Sequence, residues 1–202
     1  MIYIPNLLSL TRIGLVPILL VLLQSHQYAW ALCVFMLAGI TDGLDGYIAR
    51  RFDAKTKLGA LLDPIADKCL LVASYVMLGS LSLIPFWLMI VVVFRDIVIV
   101  SGYLLLVIFF GKIEIRPLLI SRVNTVLQIF YILLVLMSLA QFFEIGAFEI
   151  GAFEIEPFEI DLLLSILSYI VLITSVTSGV AYVVIGSIKA TTEAQGRGNS
   201  RD

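Results

Sequence analysis

Histidine, cysteine and charge are all scarce in this chain of 202 residues. It has one histidine and two cysteines, and only 14% of its residues are charged. A single histidine, His26, argues against a His-rich zinc site and a Ser-His-Asp triad. Cys33 and Cys69 lie inside apolar runs and are expected to be small buried hydrophobes rather than a disulfide framework. The formal net charge of −2 gives no reason to expect a nucleic acid partner.

Apolar residues, in contrast, make up 61% of the chain, and the mean hydropathy is +1.09. Soluble domains contain about 45–50% apolar residues, and about 20 of them in a row span a bilayer as a helix. Polar or turn-forming residues interrupt the apolar runs at 24–27 and 79–85. The sequence therefore predicts an all-α integral membrane protein with six transmembrane helices, at about 6–24, 28–50, 58–79, 84–110, 117–141 and 162–188.

Lysine and arginine are distributed unevenly over the predicted loops. They occur in 50–57, in 112–122 and after residue 188, whereas the loops at 24–28, 80–84 and 142–161 contain none. Because basic loops stay on the cytoplasmic side, both termini are expected to face the cytoplasm, and the predicted location is a bacterial cytoplasmic membrane.

The predicted domain organisation is simple. Residues 1–190 form a single six-helix catalytic domain, and the polar tail at 191–202 is expected to be disordered. Residues 146–160 repeat a Phe-Glu-Ile pattern with a period of five residues, which fits neither helix nor strand. We interpret 142–161 as an outward low-complexity loop without chemistry.

Four aspartates stand out within the second and third predicted helices. Asp42 and Asp45 are three residues apart, and Asp63 and Asp67 are four apart, so each pair occupies one helix face. The two helices are joined by a short basic loop and are expected to be antiparallel neighbours with facing carboxylates. Carboxylates that converge in a low-dielectric place stay ionised only with cations between them. An all-oxygen ligand set favours Mg²⁺ or Mn²⁺, and a two-metal cluster suits phosphoryl transfer.

The same segment carries a complete motif of eight specified residues, D-x2-D-G-x2-A-R-x8-G-x3-D-x3-D. It resembles the motif of the CDP-alcohol phosphatidyltransferases, and the likeness extends to residues 5–12, 95–96 and 120–125. The resemblance implies a homodimeric six-helix fold whose active site opens to the cytoplasmic face. It implies transfer of a phosphatidyl group from CDP-diacylglycerol to an alcohol with release of CMP.

The resemblance also assigns roles to residues. Asp42, Asp45, Asp63 and Asp67 hold the metals, and Asp67 is in addition the general base. The remaining motif residues line the CDP site, namely Gly46, Ala49, Arg50 and Gly59.

The sequence defines the acceptor alcohol less closely than the metal and CDP sites. Residues 94–97 and 116–125 look like the phosphatidylglycerolphosphate synthase and cardiolipin synthase branch, which implies a glycerol-based acceptor. We favour glycerol 3-phosphate, which Arg116 and Arg122 would clamp, with phosphatidylglycerol as the alternative. For Arg12 the sequence leaves snorkelling and phosphate binding open. The pair Arg95-Asp96 is either a structural ion pair or part of the acceptor pocket.

Two other classes of function were considered. A divalent-cation transporter needs acidic residues near the bilayer midplane and interrupted helices in two related halves. Here the carboxylates cluster near one membrane face, and the sequence shows no inverted repeat. A non-catalytic membrane scaffold would not need four aspartates in two spans. The enzyme is therefore the preferred hypothesis.

Overall fold

A computed structural model describes residues 4–52, 59–110, 119–141 and 157–198, and the side chains of 10–41, 68–102, 119–141 and 159–188. Within these residues the chain forms six α-helices. They are α1 Ile4–Gln24, α2 Tyr28–Phe52, α3 Gly59–Ser80, α4 Phe86–Phe110, α5 Leu119–Leu139 and α6 Pro157–Gly198.

The first five helices begin and end within two residues of the predicted bounds. The predicted breaks at 24–27 and 79–85 are turns, and His26 and Ser82 adopt positive φ angles of 57° and 59° there. Helix α6 is longer than predicted at both ends. Its first turn holds Pro157 and Glu159, which suit the start of a helix, so residues 157–161 are helical and not loop. At the other end α6 continues through residues 191–198, the first part of the predicted polar tail.

The helices pack as two four-helix groups that share α3 and α5. In the first group, α1 and α5 each pack against both α2 and α3. In the second group, α4 packs against α3 and α6, and α6 packs against α5. The sequence predicted α2 and α3 as direct neighbours. In the described part of the chain α1 and α5 each contact both of them. The facing of the α2 and α3 carboxylates stays a prediction, because those side chains lie outside the described residues.

The shared pair α3 and α5 forms the centre of the core. Tyr75 of α3 and Tyr131 of α5 are both buried, and their rings stack with centroids 6.2 Å apart. The Tyr75 hydroxyl donates a hydrogen bond to the backbone carbonyl of Gln128 at 3.3 Å. Aliphatic side chains of α1, α2 and α4 complete the core around this pair, among them Leu19, Leu23, Phe35, Leu88 and Val92.

Large apolar side chains also cover the outside of the bundle. Trp30, Phe94 and Leu119 are 66%, 66% and 77% exposed, respectively. The free cysteines Cys33 and Cys69 are exposed as well, so the prediction that they are buried was wrong. When a helix is apolar on every side, its composition does not reveal which face is turned inward.

Gly79 lies where α3 approaches the first turns of α4. A Cβ atom at this position would lie 2.6 Å from the Sδ and 2.8 Å from the Cβ of Met89. Because the Met89 Cβ is fixed to its helix, the two helices would have to separate. Gly79→Ala should therefore lower the free energy of unfolding by about 1–3 kcal/mol, measured as a lower melting temperature in detergent.

Gly39→Ala is the matched control, because nothing lies within 4 Å of a Cβ atom at Gly39. This variant should melt at or above the wild-type temperature, since alanine favours the helix. Equal melting temperatures for the two variants would contradict the close approach of α3 and α4.

Candidate functional site

The eight motif residues lie on two helices at opposite ends of the same connection. Asp42, Asp45, Gly46, Ala49 and Arg50 belong to the second half of α2. Gly59, Asp63 and Asp67 belong to the first turns of α3. The backbone is helical at all eight positions, as the predicted spacing requires. Their side chains lie outside the described residues, and so does Arg116.

Two further predicted residues have described side chains. Arg12 of α1 is completely buried, so it does not snorkel toward a polar surface. Arg122 of α5 is exposed. It lies about 100° around the helix from its neighbour Ser121, which contacts the interior.

A cluster of three charged side chains lies at the junction of α3 and α4. Oδ1 of Asp96 accepts a hydrogen bond from Nζ of Lys68 at 2.7 Å and another from Nη1 of Arg95 at 2.6 Å. The side chains of Arg95 and Asp96 are only 3% and 5% exposed, whereas that of Lys68 is 32% exposed. The ion-pair alternative for Arg95 and Asp96 is therefore confirmed, with Lys68 as a third member. We call these three residues the charge cluster.

Arg95 connects the charge cluster to α5 and α6. Its Nη2 atom donates to Oγ of Ser121 at 2.6 Å and to Oγ of Ser178 at 2.8 Å. The carboxylate of Asp96 thus binds two cations, and one of them, Arg95, also bonds to helices α5 and α6.

A second polar group lies beside it between α5 and α6. The side-chain oxygen of Asn124 accepts hydrogen bonds from the hydroxyls of Thr174 and Ser175 at 2.8 and 2.9 Å. The side-chain amide of Gln128 donates to Oγ of Ser175 at 3.5 Å. Asn124, Gln128 and Ser175 are completely buried. We call this group of four residues the amide cluster.

Sequence reasoning missed both the role of Lys68 and the amide cluster, although a signal for the latter was present. On α5, Ser121, Asn124 and Gln128 follow each other at three and four residues, which places them on one face of an otherwise apolar helix. Polar residues on a single face of a membrane helix usually bond to a neighbouring helix. Lys68 offered no such signal, because its partner Asp96 is 28 residues away in the sequence.

An apolar groove of about 510 Å³ runs along the outer side of α4 and α6. It is lined by the aromatic ring of Phe94, by aliphatic side chains such as Val98 and Val180, and by Arg95. The Cγ atom of Arg95 lies 3.7 Å from where a Cβ atom of Gly179 would be. The hydrocarbon part of Arg95 thus packs toward the groove, while its guanidinium bonds inside the bundle.

The chain is similar in sequence to known proteins. The family model for CDP-alcohol phosphatidyltransferases matches residues 2–177. The chain is 40% identical to the cardiolipin synthase (CMP-forming) of Rattus norvegicus and 39% identical to that of Homo sapiens, in each case over 68% of this chain and 50% of the relative. It is 38% identical to the cardiolipin synthase (CMP-forming) of Streptomyces coelicolor, over 46% of either chain. The chain thus spans about half the length of these relatives.

The protein belongs to the CDP-alcohol phosphatidyltransferase family, because the family model covers most of its length. The matched range includes helices α1 to α5, the first half of α6, the eight motif residues and the charge cluster. The resemblance predicted from the motif is confirmed, and so is its branch.

The amide cluster predicts a loss of stability when Asn124 is replaced. Asn124→Ala leaves the hydroxyls of Thr174 and Ser175 without their shared acceptor. The expected decrease in the free energy of unfolding is roughly 0.5–2 kcal/mol, measured by thermal or denaturant unfolding in detergent. Thr177→Ala serves as the control, because the Thr177 hydroxyl is exposed and bonds only to its own helix. If both variants unfolded like the wild type, the amide cluster would not hold α5 and α6 together.

Proposed function

We propose that this protein transfers a phosphatidyl group from CDP-diacylglycerol to phosphatidylglycerol, forming cardiolipin and CMP. The observation that carries the proposal is the complete motif, with both aspartate pairs at helical spacing on α2 and α3. The relatives named as CMP-forming cardiolipin synthases support the choice of acceptor.

The reaction requires a bilayer, and the helices suit one. Helices at Leu119–Leu139 and Glu159–Ile188 are long and apolar enough to cross a membrane, with mean hydropathies of 1.9 and 2.0. Only 33% and 22% of these spans are buried inside the bundle. The core helix of a soluble protein would be mostly buried. We therefore propose that all six helices cross the membrane in one domain of residues 1–190. From the family resemblance and the basic loops we further propose that the motif faces the cytoplasm of a bacterium and that the chain forms a homodimer.

The motif residues fit a pair of divalent cations. Asp42, Asp45, Asp63 and Asp67 would hold them, and the helical backbone at all four positions gives the spacing that this role needs. The donor set consists of carboxylate oxygens, which suits Mg²⁺ or Mn²⁺. When bound, such ions neutralise the negative charge of the diphosphate and of the groups that leave it. Among the described side chains, which do not include the four aspartates, no group of three or more His, Cys, Asp and Glu could hold a metal ion.

The motif residues bind and orient the substrates, and one of them accepts a proton. Gly46, Ala49, Arg50 and Gly59 line the site of the CDP group, where the absence of bulky side chains admits the nucleotide and the guanidinium binds phosphate. The hydroxyl oxygen of the acceptor attacks the phosphorus of the phosphatidyl group, and Asp67 accepts the proton of that hydroxyl. The bond from that phosphorus to the bridging oxygen breaks, and the oxygen leaves with CMP. Because an alcohol is a much weaker acid than a carboxyl group, proton transfer is concerted with the attack.

Phosphatidylglycerol replaces glycerol 3-phosphate as the preferred acceptor. The sequence alone favoured glycerol 3-phosphate, because Arg116 and Arg122 offered a clamp for a dianion. Arg122 is exposed on the outer side of α5, where it suits the phosphate of a lipid at the membrane surface. We retain Arg116 and Arg122 as acceptor-binding residues of this proposal.

The acceptor is tested by giving the purified protein CDP-diacylglycerol with one alcohol at a time and identifying the products by mass. We expect cardiolipin and an equal amount of CMP with phosphatidylglycerol. Phosphatidylglycerolphosphate as the main product would restore glycerol 3-phosphate as the acceptor. Products with inositol or serine alone would refute the glycerol-based branch.

The proton acceptor is tested by Asp67→Asn, which keeps an oxygen at this position but has no basic carboxylate. We expect kcat to fall by about 10²–10⁴-fold while CDP-diacylglycerol still binds. Asp161→Asn is the control, since Asp161 is an exposed residue of α6 outside the motif, and its kcat should be unchanged. Near wild-type turnover of Asp67→Asn would show that another group takes the proton.

A further inference from the structure

One member of the charge cluster, Lys68, lies in the sequence directly beside the catalytic segment of α3. Lys68 directly follows Asp67 and lies five residues after Asp63. Its ammonium group is bonded to Asp96 of α4 at 2.7 Å. Because a helix is stiff over a few residues, the position of Lys68 determines where the backbone of these two aspartates lies.

Asp96, the partner of Lys68 in this contact, is itself held in place by other side chains. Asp96 is 4% exposed and shares its Oδ1 atom between Lys68 and Arg95. Arg95 in turn bonds to Ser121 of α5 and Ser178 of α6. The carboxylate is therefore held by three helices and presents a fixed acceptor to the fourth, α3.

The cluster's contacts with Asp96 use one of its two carboxylate oxygens. The second carboxylate oxygen of Asp96, Oδ2, has no hydrogen-bond partner, and neither has Nε of Arg95. All the ionic contacts of the cluster thus converge on Oδ1. Among the described side chains, the contact of Lys68 with Asp96 is the ion pair that joins α3 to α4, and a charged hydrogen bond is more directional than apolar packing.

We propose that Asp96 is a positioning residue, which acts through Lys68 to hold the aspartates of α3 in the geometry that phosphatidyl transfer needs. The inference rests on the proposed function, because it assigns turnover to the aspartates of α2 and α3. It explains why an ion cluster is kept in a costly apolar interior. A misplacement of about 1 Å at a reacting group costs up to about 10²-fold in rate.

The test compares Lys68→Met and Asp96→Asn with the double variant. Each single variant should lower kcat roughly 10- to 100-fold, with KM for CDP-diacylglycerol changed by less than about twofold. The double variant should turn over within about twofold of Asp96→Asn, because both substitutions break the same contact. Lys68→Arg should retain most of the wild-type kcat, since its guanidinium also donates to Oδ1. Lys68→Met leaves the buried Arg95–Asp96 pair intact, so it tests the proposal even if Asp96→Asn does not fold.

Ser74→Ala is the matched control on the same helix. Ser74 is 1% exposed, and its hydroxyl bonds only to the carbonyl of Leu70 in α3. This variant should keep the wild-type kcat. A kcat within twofold of wild type for Lys68→Met, or independent effects that multiply in the double variant, would overturn the proposal.

A second readout does not depend on the acceptor. Hydrogen–deuterium exchange of the backbone amides at 59–67 should become faster in Lys68→Met, while exchange in α6 should stay as in the wild type. Unchanged exchange at 59–67 would contradict the positioning role. If the wild type makes no cardiolipin but exchange at 59–67 still responds, the acceptor is wrong and the positioning contact stands.

Discussion

Buried charge in an apolar bundle is the constraint on which the arrangement of the four helices α3 to α6 depends. A carboxylate and a guanidinium that leave water lose several kcal/mol of hydration each, so each has to find its partner inside the protein. Asp96 meets Lys68 and Arg95, and Arg95 meets hydroxyls of α5 and α6. These directional contacts limit how the helices can slide or rotate, which apolar packing between smooth aliphatic surfaces does only weakly.

The bundle combines two kinds of interior. The first group of helices, α1, α2, α3 and α5, carries the motif, and its described core consists mainly of Leu, Phe, Ala and Tyr side chains, with Arg12 of α1 as a buried charge. The second group, α3 to α6, contains the charge cluster and the amide cluster. Helix α3 belongs to both groups. It therefore joins the half of the protein that bears the motif to the half that contains the charge cluster and the amide cluster. Lys68 of α3 marks this connection, because it follows Asp67 in the sequence and contacts Asp96 in space.

The sequence predicted the helices and the motif well, because both depend on local information. Hydrophobic runs, turn residues and the spacing of the aspartates can be read within a window of about 20 residues. The partners across the bundle could not be predicted in this way. Lys68 and Asp96 are brought together by the α3–α4 turn, and Arg12 is buried inside the bundle. Cys33 faces outward in the apolar first half of α2. The early start of α6 at Pro157 was not predicted, because the last copy of the Phe-Glu-Ile repeat at 146–160 extends into the first turn of this helix.

The central claim of this account is that the aspartates of α2 and α3 form one divalent-cation site. Titration of the purified protein with Mn²⁺, followed by the electron paramagnetic resonance signal of the free ion, measures this binding without any substrate. The account predicts two bound Mn²⁺ ions per chain, with loss of at least one of them in Asp42→Ala and in Asp63→Ala, one variant on each helix. Unaltered Mn²⁺ binding in both folded variants would contradict it.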